Sequence, residues 1–184
     1  MKRRTLLTSA ATALPLAFAG PLAKALAPAQ TSPQIHVVPA DADRFGQTYA
    51  PGYAELVFKT DPADSSGALF AVEHTHMLPG FGPALHLHYH QDEWFYVIEG
   101  EVQFQVGDQR VRLKSGESVL GPRNIPHAFT PIHPSRMLIT FTPAGQMAQF
   151  FRDTASLGPK QGPEVYSRYG MKRVGPPIIA SESL

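Results

Sequence analysis

The sequence predicts an all-β domain followed by short helices. Two observations carry this. Between residues 53 and 143 the apolar residues fall in short runs, separated by turn pairs such as Glu99-Gly100, Gly107-Asp108 and Ser115-Gly116. Many short strands with regular turns favour a closed sandwich or barrel. After Pro143 the apolar period lengthens to that of a helix.

A chain of 184 residues suits one domain with one sizeable core. It has no cysteine, which excludes disulfides, thiolate metal sites and cysteine nucleophiles. Any metal must therefore take nitrogen and oxygen ligands.

Residues 1–29 read as a secretory signal rather than part of the fold. Lys2, Arg3 and Arg4 precede an apolar run from Leu6 to about Ala19, and small residues at Ala25, Ala27 and Ala29 offer cleavage. The paired arginines before Thr5, Leu6 and Leu7 resemble a twin-arginine signal. The expected protein is exported, to the periplasm or the medium, and its mature form has no membrane span. The first 29 residues hold four of the 16 basic residues and no acid, so 12 basic and 15 acidic residues remain, a net of −3. With no basic cluster left, nucleic acid is excluded as an expected partner.

The mature chain divides into an extension at 30–52, a strand-rich body at 53–143 and a C-terminal segment at 144–184 that packs on it. A short strand is expected at 35–38. Further strands are expected at 54–59, 69–77, 84–89, 93–98, 102–106, 109–113, 118–120, 128–130 and 136–141, with a turn-rich break at 61–67. The run AGQMAQFFRDTA predicts an amphipathic helix with Met147, Phe150 and Phe151 on its apolar side. A second short helix at 163–169 ends at Gly170. The tail VGPPIIASESL is blocked by proline and expected to be extended.

The chemistry concentrates in LHLHYHQDEWFYVIEG. Residues two apart in a strand share a face, so His86 and His88 converge while Leu87 points away. Glu93 opens the next strand and offers an oxygen. His127, in PRNIPHAF, is the best fourth ligand. His90 has the same parity but sits beside the turn at Gln91-Asp92. His74 and His76 form another alternating pair with no acid at useful spacing, and read as ordinary strand polars.

These residues resemble the cupin family, built as a double-stranded β-helix, or jelly-roll barrel. Gly80, His86, His88, Glu93 and Gly100 fit its first motif at every spacing. Gly116, Pro122 and His127 fit the second, with Asn124 and Pro131 replacing the usual Gly and Asn. Asn tolerates the left-handed backbone that such a Gly supplies. The resemblance implies that His86, His88, Glu93 and His127 hold one divalent ion, Fe, Mn, Ni, Cu or Zn. It also implies a homodimer.

The phrases DEWFYVIEGEVQF, IPHAF and FTPAG are similar to small cupins of the quercetin or flavonol dioxygenase type. That similarity implies a ring-cleaving oxygenase using dioxygen on a flavonol-like, enolic or phenolic molecule. Glu93 would then both bind the metal and take the substrate hydroxyl proton. Tyr89, His90, Trp94, Phe95, Phe104, Phe129, Met137 and Phe141 are the candidates for the substrate pocket. Two other classes stay open: a metal-dependent isomerase, decarboxylase or hydrolase, and a binding cupin without turnover. An enzyme for sugar phosphates would want basic pocket residues, and its candidates Arg110, Arg112 and Arg136 are scattered along the sequence.

Overall fold

The computed structural model describes residues 35–50, 52, 54–155, 157 and 162–180. The expected export signal lies outside the described residues. The chain divides into Met1–His36 and a compact unit, Val37–Leu184, which holds every element below.

Among the described residues ten strands form in order: β1 (Glu55–Phe58), β2 (Phe70–Met77), β3 (Ala84–His88), β4 (Asp92–Glu99), β5 (Glu101–Val106), β6 (Gln109–Lys114), β7 (Ser118–Gly121), β8 (His127–Pro131), β9 (Ser135–Thr142) and β10 (Met171–Pro177). Two helices, α1 (Met147–Thr154) and α2 (Pro163–Arg168), separate β9 from β10. A 3₁₀ turn at Pro62–Ser65 occupies the break after β1, and Asp61 caps it. The strand expected at 35–38 does not form; those residues carry no regular structure.

The strands make two antiparallel five-stranded sheets, β1-β2-β9-β4-β7 and β10-β3-β8-β5-β6. This corrects the expected closed barrel. Each sheet is an open ladder with two edges, and no ladder joins one sheet to the other among the described residues. Proline explains part of this. Pro79, Pro83, Pro122 and Pro134 stand in the connections beside strand ends, where further pairing would need backbone N–H donors that proline lacks. β3 and β8 pair at one register position, His86 with His127, so that sheet is loosely laced beside the histidines.

Alternation sets the core. β4 and β9 bury every second residue, sending Phe95, Val97, Met137, Ile139 and Phe141 inward. β2 is buried almost throughout, so its sequence shows no alternation. Helix α1 turns Met147, Ala148, Phe150 and Phe151 inward. The Phe151 ring meets Phe58, Phe70 and Phe141, which ties α1 to the aromatic core.

The C-terminal tail is a second correction. Its first residues, 174–177, are not a free extended segment but the end of a paired strand, and residues 181–184 lie outside the described residues. β10 runs antiparallel to β3, with Met171 opposite His88 and Arg173 opposite His86. Its prolines are tolerated because it is an edge strand.

Candidate metal centre

Three strands assemble the site. β3 alternates inward and outward, which buries Ala84, His86 and His88 on one face. Glu93 is the second residue of β4, on the same inward face as Phe95. His127 opens β8 directly across from His86. The four residues are at most 7% exposed, and one donor atom from each lies within 4.8 Å of the others. They form a cluster compatible with a single divalent ion.

The loop before His127 is pinned to the strand that carries Glu93. Arg123 donates to Asp92 from its backbone N–H at 2.9 Å and from its guanidinium at 3.1 and 2.6 Å. Those hydrogen bonds hold the Asp92 carboxyl down to about 2. Asn124 takes a positive φ of 65° and donates its N–H to the His88 carbonyl at 2.7 Å. The Asn at this position thus supplies the left-handed turn.

Hydrogen bonding orients the imidazoles. His86 Nδ1 lies 2.8 Å from the Ala84 carbonyl, and His127 Nδ1 lies 2.9 Å from the Ile125 carbonyl. A carbonyl only accepts, so each Nδ1 carries the proton. In the neutral ring that leaves a lone pair on Nε2. Yet His127 Nε2 is 2.9 Å and His88 Nε2 is 3.0 Å from the same oxygen, Glu93 Oε2. For His127, whose Nδ1 is held by a carbonyl, a lone pair facing the carboxylate is repulsive unless a cation or a proton lies between them. Backbone carbonyls that fix the Nδ1 tautomer and free Nε2 are the usual support of a metal-binding histidine. The donor set therefore fits a divalent ion.

Electrostatics follow the packing. Burial lowers His86 to about 3, aided by the neighbouring His127 and His88. Burial alone would raise the Glu93 carboxyl, but where no metal lies between them, protons on Nε2 of His127 and His88 outweigh burial and hold Glu93 below its ordinary value.

A cavity of about 130 Å³ opens on the cluster. Of the expected pocket residues, Phe129 and Phe141 line it. Phe95, Phe104 and Met137 lie in the core instead, and the Phe95 ring backs His127 with centroids 5.8 Å apart. Trp94 stacks on Tyr96 on the opposite face of β4 from Glu93. Tyr89 and His90 are exposed after β3 and do not line the cavity.

Several lining residues escaped the sequence reading: His74, Phe150, Phe151, Tyr166 and Arg173. His74 is buried to 1% and packs edge-on to Phe129 and Phe151. Burial lowers it to about 4, against a raising effect of Glu93. Its neighbour His76 is exposed and pairs with Glu55 at 3.2 Å. Tyr166, on α2, places its ring 5.5 Å from that of His86. The apolar periodicity of α1 was a signal for Phe150 and Phe151; nothing local marked Tyr166 or Arg173.

Residues 73–141 match the family model of the cupin domain, a stretch that contains all four clustered residues. Over that stretch the fold is cupin-like, set within two open sheets and followed by short C-terminal helices. No curated protein matches it. Among solved structures it is similar to an RmlC-like cupin from Shewanella frigidimarina, with 21% identity, 55% of this chain and 87% of that one covered, and a TM-score of 0.49. KdgF from Halomonas sp. is 21% identical, covers 50% and is itself covered to 79%, with a TM-score of 0.45. Streptomyces PAC13 with uridine is 13% identical, with coverages of 72% and 86% and a TM-score of 0.49.

Proposed function

We propose that the protein is a metal-dependent oxygenase of a small phenolic or enolic molecule, with flavonol-type ring cleavage as its leading reaction. One observation carries the reading: in a buried three-histidine, one-carboxylate cluster, His86, His88 and Glu93 line a cavity walled by aromatic rings. His86, His88, Glu93 and His127 would hold the ion, which would make a bound hydroxyl more acidic and bring substrate and dioxygen together. The rest falls to the chain. Phe129, Phe141 and Phe151 provide flat apolar surface for a planar substrate and keep water out. Glu93 faces the cavity and is the carboxylate within reach of a substrate hydroxyl proton. The paired Nδ1–carbonyl hydrogen bonds keep His86 and His127 from turning as charge develops.

Elemental analysis of protein purified without added metal, joined to oxygen uptake on a flavonol panel, tests this. The expected result is one divalent ion per chain and oxygen uptake with at least one enolic substrate. Glu93→Gln should abolish turnover. A metal-loaded protein that never consumes oxygen refutes the oxygenase and favours an isomerase, decarboxylase or hydrolase. A folded chain that takes up no metal rejects all of these.

A further inference from the structure

We propose that Met171 is a fifth, soft donor to the ion of the histidine cluster, and that its sulfur biases the site towards reduced copper, Cu(I). The proposal rests on the reading that His86, His88, Glu93 and His127 hold a metal, and it stands whether or not that metal then activates dioxygen.

Register places the sulfur. β10 pairs with β3 so that Met171 is directly opposite His88. One step along the same ladder, the Tyr89 N–H donates to the Gly170 carbonyl at 3.0 Å. Opposed pairs alternate between bonded and non-bonded, so Met171 and His88 form a non-hydrogen-bonded pair. Such partners have Cα atoms about 4.5 Å apart and the closest side chains of an antiparallel ladder. They also project to one face of the sheet. Both are buried and both line the cavity. Methionine has three rotatable bonds, so its sulfur can be brought to an ion held by the imidazole opposite.

The choice of residue also points to the ion. Strands favour β-branched and aromatic side chains, yet this inward position beside a histidine carries a thioether. Two of the five methionines, Met147 and Met171, line this one cavity. The chain has no cysteine, so a thioether is the only sulfur donor it can offer.

The three imidazoles are not supported alike. Nδ1 of His86 and of His127 each meets a backbone carbonyl. Nδ1 of His88 is buried with no hydrogen-bond partner among the described residues. A hydrogen bond on the far nitrogen raises the basicity of a ligating histidine, so His88 is the weakest of the three donors for a hard divalent ion. Cu(I) is soft and accepts imidazole and thioether together. The ladder therefore sets the least basic imidazole beside the sulfur that compensates for it with this ion.

The full chain, stripped of metal, is titrated with Cu(I) under nitrogen and with Zn(II), each in competition with a chromophoric chelator. Met171→Leu should weaken Cu(I) binding roughly tenfold or more and leave Zn(II) binding within error, because zinc takes nitrogen, oxygen and thiolate rather than thioether. Met147→Leu, on α1, should keep both affinities. X-ray absorption of the Cu(I)-loaded wild type should show one sulfur bound to copper, which in a chain without cysteine must be a methionine. A copper shell without sulfur overturns the proposal even if no variant folds. Wild-type Cu(I) affinity in folded Met171→Leu, an equal loss for Zn(II), or the same loss in Met147→Leu overturns it as well. A wild type that takes up Zn(II) but not Cu(I) does so too. Oxygen uptake is scored separately: sulfur-bound copper without oxygen uptake sinks the oxygenase reading alone, and oxygen uptake by a sulfur-free site sinks this one alone.

Discussion

Alanine at Gly121 tests whether His127 holds the ion. Gly121 ends β7 and stands opposite Glu93 in the β4 pairing. A Cβ at this position would lie 3.0 Å from His127 Nδ1, 3.2 Å from its Cγ and 3.3 Å from its Cε1. Ordinary carbon contacts are at roughly 3.5–4.0 Å, so the imidazole must yield by a few tenths of an ångström. It has little room to do so. Its Nδ1 is held by the Ile125 carbonyl, Phe95 lies behind it, and it is 1% exposed. Metal–ligand distances tolerate about 0.2 Å, so the displacement falls on the ligand bond. Disturbing the support of a metal ligand costs about 10–100-fold in affinity, or about 1.4–2.7 kcal/mol. Competition with a chromophoric chelator for Zn(II), alongside thermal melts of the stripped protein, measures both quantities. Affinity should fall by that factor, while the stripped protein loses a few degrees at most. Leu120→Ala, one residue away and 48% exposed in the native chain, should leave affinity unchanged. Wild-type affinity in folded Gly121→Ala would refute the assignment of His127.

Three further outcomes are expected. His74 is lowered to about 4 by burial, so the unfolded chain binds its proton more readily between that value and about 6.5, and stability must fall as pH falls through this window. In urea melts with chelator present, the loss from pH 7 to pH 4.5 should be about 2 kcal/mol smaller in His74→Phe than in wild type; equal losses would show that His74 is not held neutral. Asp43 accepts the N–H of Phe58 at 2.5 Å and that of Phe45 at 2.6 Å, and Asp43→Ala should cost about 2–3 kcal/mol by orphaning them, against a midpoint shift within error if water replaces the carboxylate. Export should remove 27–29 residues, as amino-terminal sequencing would report, and Arg3→Lys with Arg4→Lys should block it; unaffected export points to the general secretion route.

How much of this was legible depends on distance along the chain. His86 and His88 could be paired from the sequence because the two-residue period of a strand is local. Glu93 follows after one short turn, and His127 was reached through the spacing of a second motif rather than through any geometry. The parity rule that placed the histidines also puts Trp94 on the face away from Glu93, so that pocket assignment contradicted a signal already present. His74 was read together with its exposed neighbour His76. The two share parity, and what separates their fates is a break in β2, where His76 takes a positive φ of 50° and the pairing with β9 shifts register between His74 and Met77. Arg173 was out of reach, since its position depends on pairing with His86 through a segment that Gly175, Pro176 and Pro177 make look unlike a strand. Sheet closure was invisible for a related reason: edges are defined by what fails to pair.

The same division of distance separates the two halves of the cavity. The metal-compatible floor comes from β3, β4 and β8, all inside the stretch that matches the cupin domain. Much of the wall comes later, from Met147, Phe150 and Phe151 on α1, Tyr166 on α2 and Arg173 on β10. None of these supplies a hydrogen bond that orients His86 or His127, whose Nδ1 atoms are held by carbonyls of Ala84 and Ile125. Tyr166 excepted, since its ring packs against His86, changes in the wall can therefore alter the shape offered to a ligand while the imidazoles stay aimed. Motifs that describe the floor consequently point to a metal-compatible cluster and leave the shape of the wall to residues outside them.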